Sequence, residues 1–191
     1  MLNKLLKGNN VQCNICENKF TTFIPHLNRI NACCQNCGSL ERTRLLWYYI
    51  NQKALLQKTK NLLHVAPERY LYELFQKNSK INYFPIDKFT TGYQYPSKTI
   101  EMDVTDLSFE DASMDGIICM HVLEHVLDDY KALKELYRVL NPGGWAIIQV
   151  PYEKDRPKTY EDATIISPEE RRKHFGQSDH VRTYGADFID R

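Results

Sequence analysis

The sequence predicts an α/β protein with a mainly parallel, doubly wound sheet, preceded by a small cysteine-rich segment. After residue 60, short apolar runs typical of buried strands alternate with stretches of helical character. Such alternation favours a parallel sheet that helices cover on both faces. Five of the six cysteines lie between Cys13 and Cys37. We therefore expect three parts: the cysteine-rich segment over 1–40, a linking helix over 41–60, and the main domain over 61–191.

Apolar runs and helical spacing place the elements of the main domain. The expected strands are Asn61–Val65, Ile81–Asp87, Thr99–Met102, Gly116–His121 and Trp145–Pro151. The expected helices are Tyr70–Lys77, Asp129–Leu140 and Pro168–Phe175. Ligands of such sheets bind beyond the carboxyl ends of the strands, at the point where the strand order reverses. Residues that directly follow the strands are therefore the first candidates for a site.

Two helices have recognisable starts and inner faces. Ser39 is expected to cap the linking helix, whose inner face would be a stripe formed by Leu45, Leu46, Tyr49 and Ile50. Asp128 or Asp129 is expected to cap the later helix, whose inner face would comprise Leu133, Leu136, Val139 and Leu140. Pro142-Gly143-Gly144 is expected to end that helix and turn into the fifth strand.

The cysteines form two pairs, Cys13-x2-Cys16 and Cys34-x2-Cys37, which seventeen residues separate. Clustered cysteines in a reducing compartment indicate metal before disulfides. Four thiolates satisfy tetrahedral Zn²⁺, so the segment is predicted to be zinc-ribbon-like, with Cys33 as an alternative to Cys34. Four protein ligands leave no position for a substrate, which favours a structural zinc.

The composition excludes few partners. The formal net charge is +1, so nothing global favours nucleic acid or an anionic membrane. No apolar run approaches the ~20 residues of a membrane span, and the apolar stretch at the N-terminus is too short for a secretory signal. We expect a cytoplasmic protein without membrane contact. Contact of the ribbon with nucleic acid through Arg29, Arg42 and Arg44 remains an alternative.

Polar side chains follow three successive strands. Asp87 ends the second expected strand, where a carboxylate can accept hydrogen bonds from both hydroxyls of a ribose. Asp103 follows the third strand, where a carboxylate can accept a bond from an adenine amino group. His121 follows the fourth strand and is expected to line a cofactor or substrate pocket. Turn chemistry would explain any single one of these acids, but two at successive strand ends favour a nucleoside-containing ligand.

The stretch "LSFEDASMDGIICMHVLEHVLDDYKALKELYRVLNPGGWAIIQVP", Leu107 to Pro151, resembles the middle of a class I S-adenosylmethionine-dependent methyltransferase of the type 11 kind. The resemblance covers roughly Leu62 to Pro151 and implies a Rossmann-like fold. The cysteine segment and the Leu-His-x-Ala-Pro-Glu loop, from Leu63 to Glu68, are similar to those of one subgroup. The family's sheet normally has two further strands, so the C-terminal strands of the fold are expected to be missing from this chain, which ends at Arg191.

The resemblance also implies a cofactor site. His64 stands where most such methyltransferases have an acidic residue, Ala66 stands at their first glycine, and Glu68 stands near the next one. S-Adenosylmethionine has no phosphate, so its loop needs an anion-binding glycine nest less than a dinucleotide loop does. With Asp87, Asp103, Val104 and His121, these three residues form the expected cofactor site. A degenerate loop that binds no cofactor remains an alternative.

The remaining predictions concern chemistry. His121 and His180 are candidate general bases, whereas Glu124 and His125 are better explained by packing or capping at a helix end. The polar tail around Gly176 is expected to have little regular structure and to form a lid or acceptor-binding segment through His174, His180, Arg182 and Tyr184. The leading hypothesis is methyl transfer to an unidentified small-molecule or macromolecular acceptor. Its rivals are a non-catalytic binding module of the same fold and a nucleic-acid-modifying protein. The oligomeric state stays open.

Overall fold

The computed structural model describes residues 7–191, which form two compact units. Among the described residues, the first unit comprises 7–60 and Pro67–Ile81, and the second comprises Asn61–Ala66 and Asn82–Arg191. Residues 1–6 of the segment predicted over 1–40 lie outside the described residues. The predicted division at residues 40 and 60 stays a prediction.

Within residues 7–60 and 67–81, the first unit has two hairpins, two α-helices and a 3₁₀ turn. Its elements are β1 (Lys7–Gln12), β2 (Lys19–Phe20), β3 (Ile24–His26), β4 (Arg29–Cys33), α1 (Glu41–Gln52), a 3₁₀ turn (Leu55–Lys58) and α2 (Arg69–Gln76). Strand β1 pairs antiparallel with β2, and β3 pairs antiparallel with β4. The hairpins therefore carry the two cysteine pairs, one pair beside each hairpin.

The start of α1 differs from the prediction. The N-cap is Leu40, with no side-chain cap hydrogen bond, so the prediction that Ser39 caps the helix is wrong. The Ser39 hydroxyl instead lies 3.4 Å from the Cys13 thiol and 3.1 Å from the Cys37 thiol. The sulfur cluster therefore uses the hydroxyl that the sequence had suggested for the helix.

The predicted apolar stripe of α1 is half right. Leu46 and Ile50 are buried, whereas Leu45 and Tyr49 are 62% and 47% exposed. Residues four apart form one ridge on a helix, and neighbouring ridges point in different directions. Only the ridge that contains Leu46 and Ile50 packs inward.

The second unit is built on a parallel five-stranded sheet. Its strands are β5 (Asn61–Val65), β6 (Asn82–Asp87), β7 (Ile100–Glu101), β8 (Met114–Met120) and β9 (Leu140–Gln149), in the order β7-β6-β5-β8-β9. All four pairings are parallel. The chain runs outward from β5 to β7 and then crosses back to β8, so the strand order reverses between β5 and β8. The Rossmann-like class is confirmed.

The helix that precedes β9 confirms most of its prediction. Helix α3 (Asp129–Val139) is capped by Asp128, whose carboxylate accepts a 2.9 Å hydrogen bond from the Lys131 amide. Leu136 and Val139 are buried in the core, and Leu133 and Leu140 pack against it.

The glycine pair after α3 does not form the expected turn. Strand β9 begins at Leu140, so Pro142-Gly143-Gly144 lies within the bounds of the strand, beside a register shift. Gly143 has a φ of +80°, a conformation that favours glycine.

Arg138, in the Leu-Tyr-Arg-Val-Leu stretch, is a structural residue. Its guanidinium bonds to Glu135 and donates to the backbone carbonyls of Leu107 and Phe109, at 2.7 and 2.8 Å. This fastens the loop after β7 to α3, which explains an arginine at this position without any catalytic role.

The tail is more regular than predicted. It contains β10 (Tyr160–Glu161), α4 (Pro168–Phe175), β11 (Arg182–Thr183) and a 3₁₀ turn (Ala186–Ile189). The prediction of α4 is confirmed, and Ser167 caps it. The expectation of little regular structure beyond α4 is wrong, because β11 pairs antiparallel with β10. Across residues 7–191, none of the helices combines the length and the apolar character needed to cross a bilayer.

Candidate functional site

Two residues with left-handed backbone follow the strands at which the strand order reverses. Ala66 follows β5 with a φ of +49°, and His121 follows β8 with a φ of +54°. Their amides donate to the carbonyls of Ile86 and Gln149, each at 2.8 Å. A residue with a Cβ costs roughly 1–2 kcal/mol in this conformation. Strain at two neighbouring strand ends is typical of a functional rim.

Asp87, the last residue of β6, carries a half-buried carboxylate at this rim. Among residues 7–191, no lysine or arginine forms an ion pair with it. Burial raises its pKa above the usual range of aspartate. Hydrogen bonds from neutral hydroxyl donors would stabilise the charged form of such a carboxylate, because it lacks the solvation of an exposed acid.

Asp103, two residues beyond β7, is already engaged. One carboxylate oxygen accepts hydrogen bonds from the Thr105 amide and hydroxyl at 2.9 and 2.8 Å, and the other accepts from Lys88 at 2.8 Å. Burial raises the pKa of Asp103, but Lys88 and Thr105 outweigh it and hold the pKa below its usual range. A carboxylate has about four lone-pair positions, so a further donor would share Asp103 with these partners. Val104 is 5% exposed and belongs to the core.

The two other predicted residues of the cofactor loop have different surroundings. His64 lies within β5 and is 0% exposed, and its Nδ1 lies 2.9 Å from the Tyr83 hydroxyl. That environment is typical of a core histidine. Glu68 belongs to the first unit, where it is the N-cap residue of α2.

The turn after β8 carries a cluster of histidines around one buried acid. Glu124 is 1% exposed, and its Oε1 lies 3.3 Å from Nδ1 of His121. One of its oxygens lies within 4.8 Å of a ring nitrogen of His125 and of His180, which also lie within that distance of each other. The two candidate bases, His121 and His180, are therefore both neighbours of Glu124, although 58 residues separate them in the sequence.

Hydrogen bonds from Val181 and Arg182 hold the tail against the turn that follows β8. The Val181 amide donates to the Glu124 carbonyl at 2.8 Å. The Arg182 guanidinium donates to the carbonyls of Leu123, Val126 and Leu127. These bonds hold His180 beside His125, whose ring centroid is 4.7 Å away.

Arg182 and Tyr184, predicted to contact the acceptor, are interior residues. They are 3% and 0% exposed. Arg182 forms ion pairs with Asp129 and Glu161 at 3.7 and 2.9 Å, and the Tyr184 hydroxyl donates to Asp129 at 2.7 Å. Their contacts favour fastening of the tail, so we leave both out of the proposed acceptor site.

His174 lies on α4, with its two ring nitrogens near different partners. Its Nδ1 lies 3.0 Å from the Tyr160 hydroxyl, and its Nε2 lies 3.4 Å from Glu170. Its role in acceptor binding stays a prediction.

The four predicted zinc ligands converge in the first unit. The thiols of Cys13, Cys16, Cys34 and Cys37 all lie within 4.8 Å of one another. The Cys13–Cys37 and Cys16–Cys34 sulfur distances are both 3.7 Å. Four sulfurs ~2.3 Å from a tetrahedral ion would lie about 3.8 Å apart, so the cluster fits zinc. The Cys33 thiol instead points at the carbonyls of Cys34 and Gly38, at 3.8 and 3.5 Å.

Comparison with known proteins identifies the family. The family model described as a methyltransferase domain matches residues 50–148, which is 99 of the 191 residues. This chain belongs to the methyltransferase-domain family. The match includes almost all of the parallel sheet, both left-handed rim residues, and Glu124 and His125; it ends before His180.

Individual relatives match this chain over shorter stretches. The chloroplastic 2-phytyl-1,4-beta-naphthoquinone methyltransferase of Arabidopsis thaliana is 46% identical over 44 residues, 23% of this chain and 17% of the relative. The demethylmenaquinone methyltransferase of Clavibacter sepedonicus is 43% identical over 49 residues, 26% of this chain and 20% of the relative. The chain thus spans at most a fifth of the length of these two relatives.

A solved structure supports the fold of this chain. A SAM-dependent methyltransferase from Archaeoglobus fulgidus superposes with a TM-score of 0.50 at 13% identity. The superposition covers 76% of this chain and 64% of that one. At this identity the likeness concerns the fold alone.

Sequence reasoning assigned Glu124 and His125 to the packing of a helix end and missed their place in the cluster. The structure places them in a 3₁₀ turn (Leu123–His125) beside the tail. The closeness of His121, Glu124 and His125 within five residues was available in the sequence. The partnership with His180 was not, because it depends on how the tail returns to the sheet.

Proposed function

We propose that this methyltransferase takes its methyl group from S-adenosylmethionine bound along the carboxyl ends of β5, β6 and β8. The observation that carries the proposal is Asp87, a half-buried carboxylate without a cationic partner among residues 7–191, beside the strands where the order reverses. In a parallel sheet, ligands bind at this position. A ribose offers two adjacent hydroxyl donors, which suits one carboxylate.

The residues at the rim fit such a donor. Ala66, at the position where the resemblance places the family's first glycine, has a left-handed backbone, the conformation that favours glycine. Asp103 and the Val104 backbone would contact the adenine. S-Adenosylmethionine lacks phosphate, so the absence of an anion-binding glycine nest does not count against it.

His121 is the proposed general base. When bound, S-adenosylmethionine supplies a methyl group on a sulfonium sulfur that leaves as a neutral thioether. Nδ1 of His121 lies 3.3 Å from Oε1 of Glu124. A proton on Nδ1, facing that carboxylate, would leave the Nε2 lone pair available. His121 Nε2 is buried and has no hydrogen-bond partner among the described residues. It would take the proton that an acceptor hydroxyl or amine loses as its bond to the methyl carbon forms.

Calorimetry with S-adenosylhomocysteine tests the donor site. The intact chain should bind it, and Asp87→Asn should weaken binding roughly 10- to 150-fold, the loss expected for hydrogen bonds to a charged group. Glu110→Gln is the matched control, because Glu110 is an exposed acid in the same unit. Absence of binding by the intact chain would favour the non-catalytic rival, and equal binding by Asp87→Asn would remove Asp87 from the site.

The acceptor is not carried over from the relatives. Their names concern a naphthoquinone and demethylmenaquinone, and the match covers at most a fifth of each. Nucleic acid is not favoured either, because Arg29 pairs with Glu41, and Arg44 donates to the Ala32 carbonyl while lying over the Phe23 ring. A panel of oxygen- and nitrogen-bearing acceptors, assayed by release of S-adenosylhomocysteine, would identify the class.

A further inference from the structure

We infer that Glu124, His125 and His180 bind a divalent transition-metal ion of the zinc class. This site would be separate from the cysteine cluster. One potential ligand atom from each residue already lies within 4.8 Å of the other two. Two imidazoles and one carboxylate are a ligand set that zinc, iron and cobalt enzymes use.

The buried acid calls for a positive charge. Glu124 is 1% exposed, and its Oε2 is buried without a hydrogen-bond partner. Across residues 7–191, no lysine or arginine forms an ion pair with Glu124; the ion-pairing side chain is His121, on Oε1. A buried carboxylate is costly unless a cation or several donors compensate it. A metal ion on Oε2 would supply that charge and leave Oε1 for His121.

Both histidines are oriented as metal ligands commonly are. Nδ1 of His180 lies 3.2 Å from the Phe175 carbonyl, and Nδ1 of His125 lies 3.3 Å from the Asp179 carboxylate. A ligating histidine typically donates its other ring N–H to a carbonyl or carboxylate, which fixes the tautomer. With Nδ1 used in this way, Nε2 of each ring has its lone pair available for an ion.

The site is held before any ion arrives. The Val181–Glu124 backbone bond and the three carbonyl bonds of Arg182 fasten the tail to the turn after β8. The three ligands therefore need little ordering when they bind. A loose surface cluster would lack these bonds and would carry a larger entropic cost.

Three protein ligands leave a coordination position open. An acceptor hydroxyl in that position would lose its proton more readily, next to the base His121. This role rests on the proposed function, whereas binding of the ion does not require the methyl donor. The metal content therefore tests this inference, and donor binding separately tests the proposed function.

Metal analysis of the intact, tag-free chain after dialysis against Zn²⁺ tests the inference. We expect two zinc ions per chain in the wild type, and one in His125→Ala and in His180→Ala. His125 has an exposed side chain, so its replacement should leave the fold intact, which circular dichroism would check. His174→Ala is the matched control and should keep two ions, since His174 lies outside the cluster.

Two results would overturn the inference: a wild type that holds a single zinc, or histidine variants that still hold two. Calorimetry with S-adenosylhomocysteine on the same proteins separates this inference from the proposed function. If His125→Ala loses one zinc while it binds the nucleoside with unchanged affinity, the metal site stands independently of the donor site.

Discussion

The two candidate metal-binding clusters of this chain are built in opposite ways. The cysteine cluster takes its four ligands from within 25 residues, in two Cys-x2-Cys pairs beside short hairpins. The cluster around Glu124 takes ligands from the turn after β8 and from a tail more than fifty residues later. A site of the first kind is evident from spacing. A site of the second kind exists only because backbone hydrogen bonds return the tail to the turn.

The largest expected effect comes from breaking the local cluster. Cys34→Ser should abolish zinc binding in the first unit and disrupt both hairpins. Structural zinc contributes about 10–16 kcal/mol in comparable small segments, and this unit has few other buried side chains around its hairpins. Competition with a chromogenic chelator measures the zinc, and nuclear magnetic resonance of residues 7–40 measures the order.

The neighbouring cysteine provides the matched control. Cys33→Ser changes the adjacent thiol, which points at backbone carbonyls and away from the cluster. It should retain zinc with wild-type resistance to the chelator. Equal loss of zinc in the two variants would contradict the assignment of Cys34, rather than Cys33, as the fourth zinc ligand.

The next effect concerns the fastening of the tail. Asp129 is 1% exposed and accepts hydrogen bonds from Tyr184 and Arg191, while Arg182 lies 3.7 Å away. Asp129→Ala should lower the free energy of unfolding by about 3–5 kcal/mol, because it removes a negative charge beside the buried Arg182. Urea denaturation measures this. Asp111→Ala, which removes an 80% exposed partner of Arg138, should cost less than about 1 kcal/mol.

The same variant has a defined pH dependence. Burial raises the pKa of Asp129, but bonds from Arg191 and Tyr184 outweigh it and hold the pKa below its usual range. A lowered folded-state pKa contributes stability above the ordinary aspartate value of about 3.9, which is lost as the pH falls through the folded-state pKa. The gap between wild type and Asp129→Ala should therefore narrow below about pH 4. A gap that stays constant down to pH 2 would contradict this contribution.

Much of the frame could be predicted from the sequence because it depends on local patterns. Strand β5 and helix α4 agree with their predicted bounds, and the parallel sheet follows from the alternation of strands and helices. The exposed positions of Leu45 and Tyr49 could not be predicted, because two adjacent ridges of α1 are both apolar and only tertiary packing selects one. Ser39 was predicted as a cap because the rule for caps is local, whereas its hydroxyl contacts thiols from two hairpins.

The site was predictable only where strand ends define it. Asp87, Asp103 and His121 could be placed at the rim from their positions after apolar runs. Arg182 and Tyr184 were predicted to be accessible because polar residues in a tail usually are. They became interior because Asp129 and the carbonyls after β8 satisfy them, and these partners are more than fifty residues away. His180 joined the cluster for the same reason.

The smallest expected effect concerns Ala66 and Ala112, two alanines with a left-handed backbone conformation. Ala66→Gly should stabilise the fold by about 0.5–1 kcal/mol, since relief of left-handed strain exceeds the entropy that glycine adds to the unfolded chain. Ala112→Gly, with a φ of +50° away from the rim, should gain about the same. Only Ala66→Gly should change the affinity for S-adenosylhomocysteine. If both or neither changed the affinity, Ala66 would have no special place in the donor site.

The most direct test of the account is a crystal structure of the intact chain with S-adenosylhomocysteine bound. We predict that the ribose hydroxyls lie within hydrogen-bond distance of the Asp87 carboxylate and that the sulfur faces His121, between the ends of β5 and β8. A nucleoside bound elsewhere, with Asp87 in contact with none of its atoms, would contradict the account.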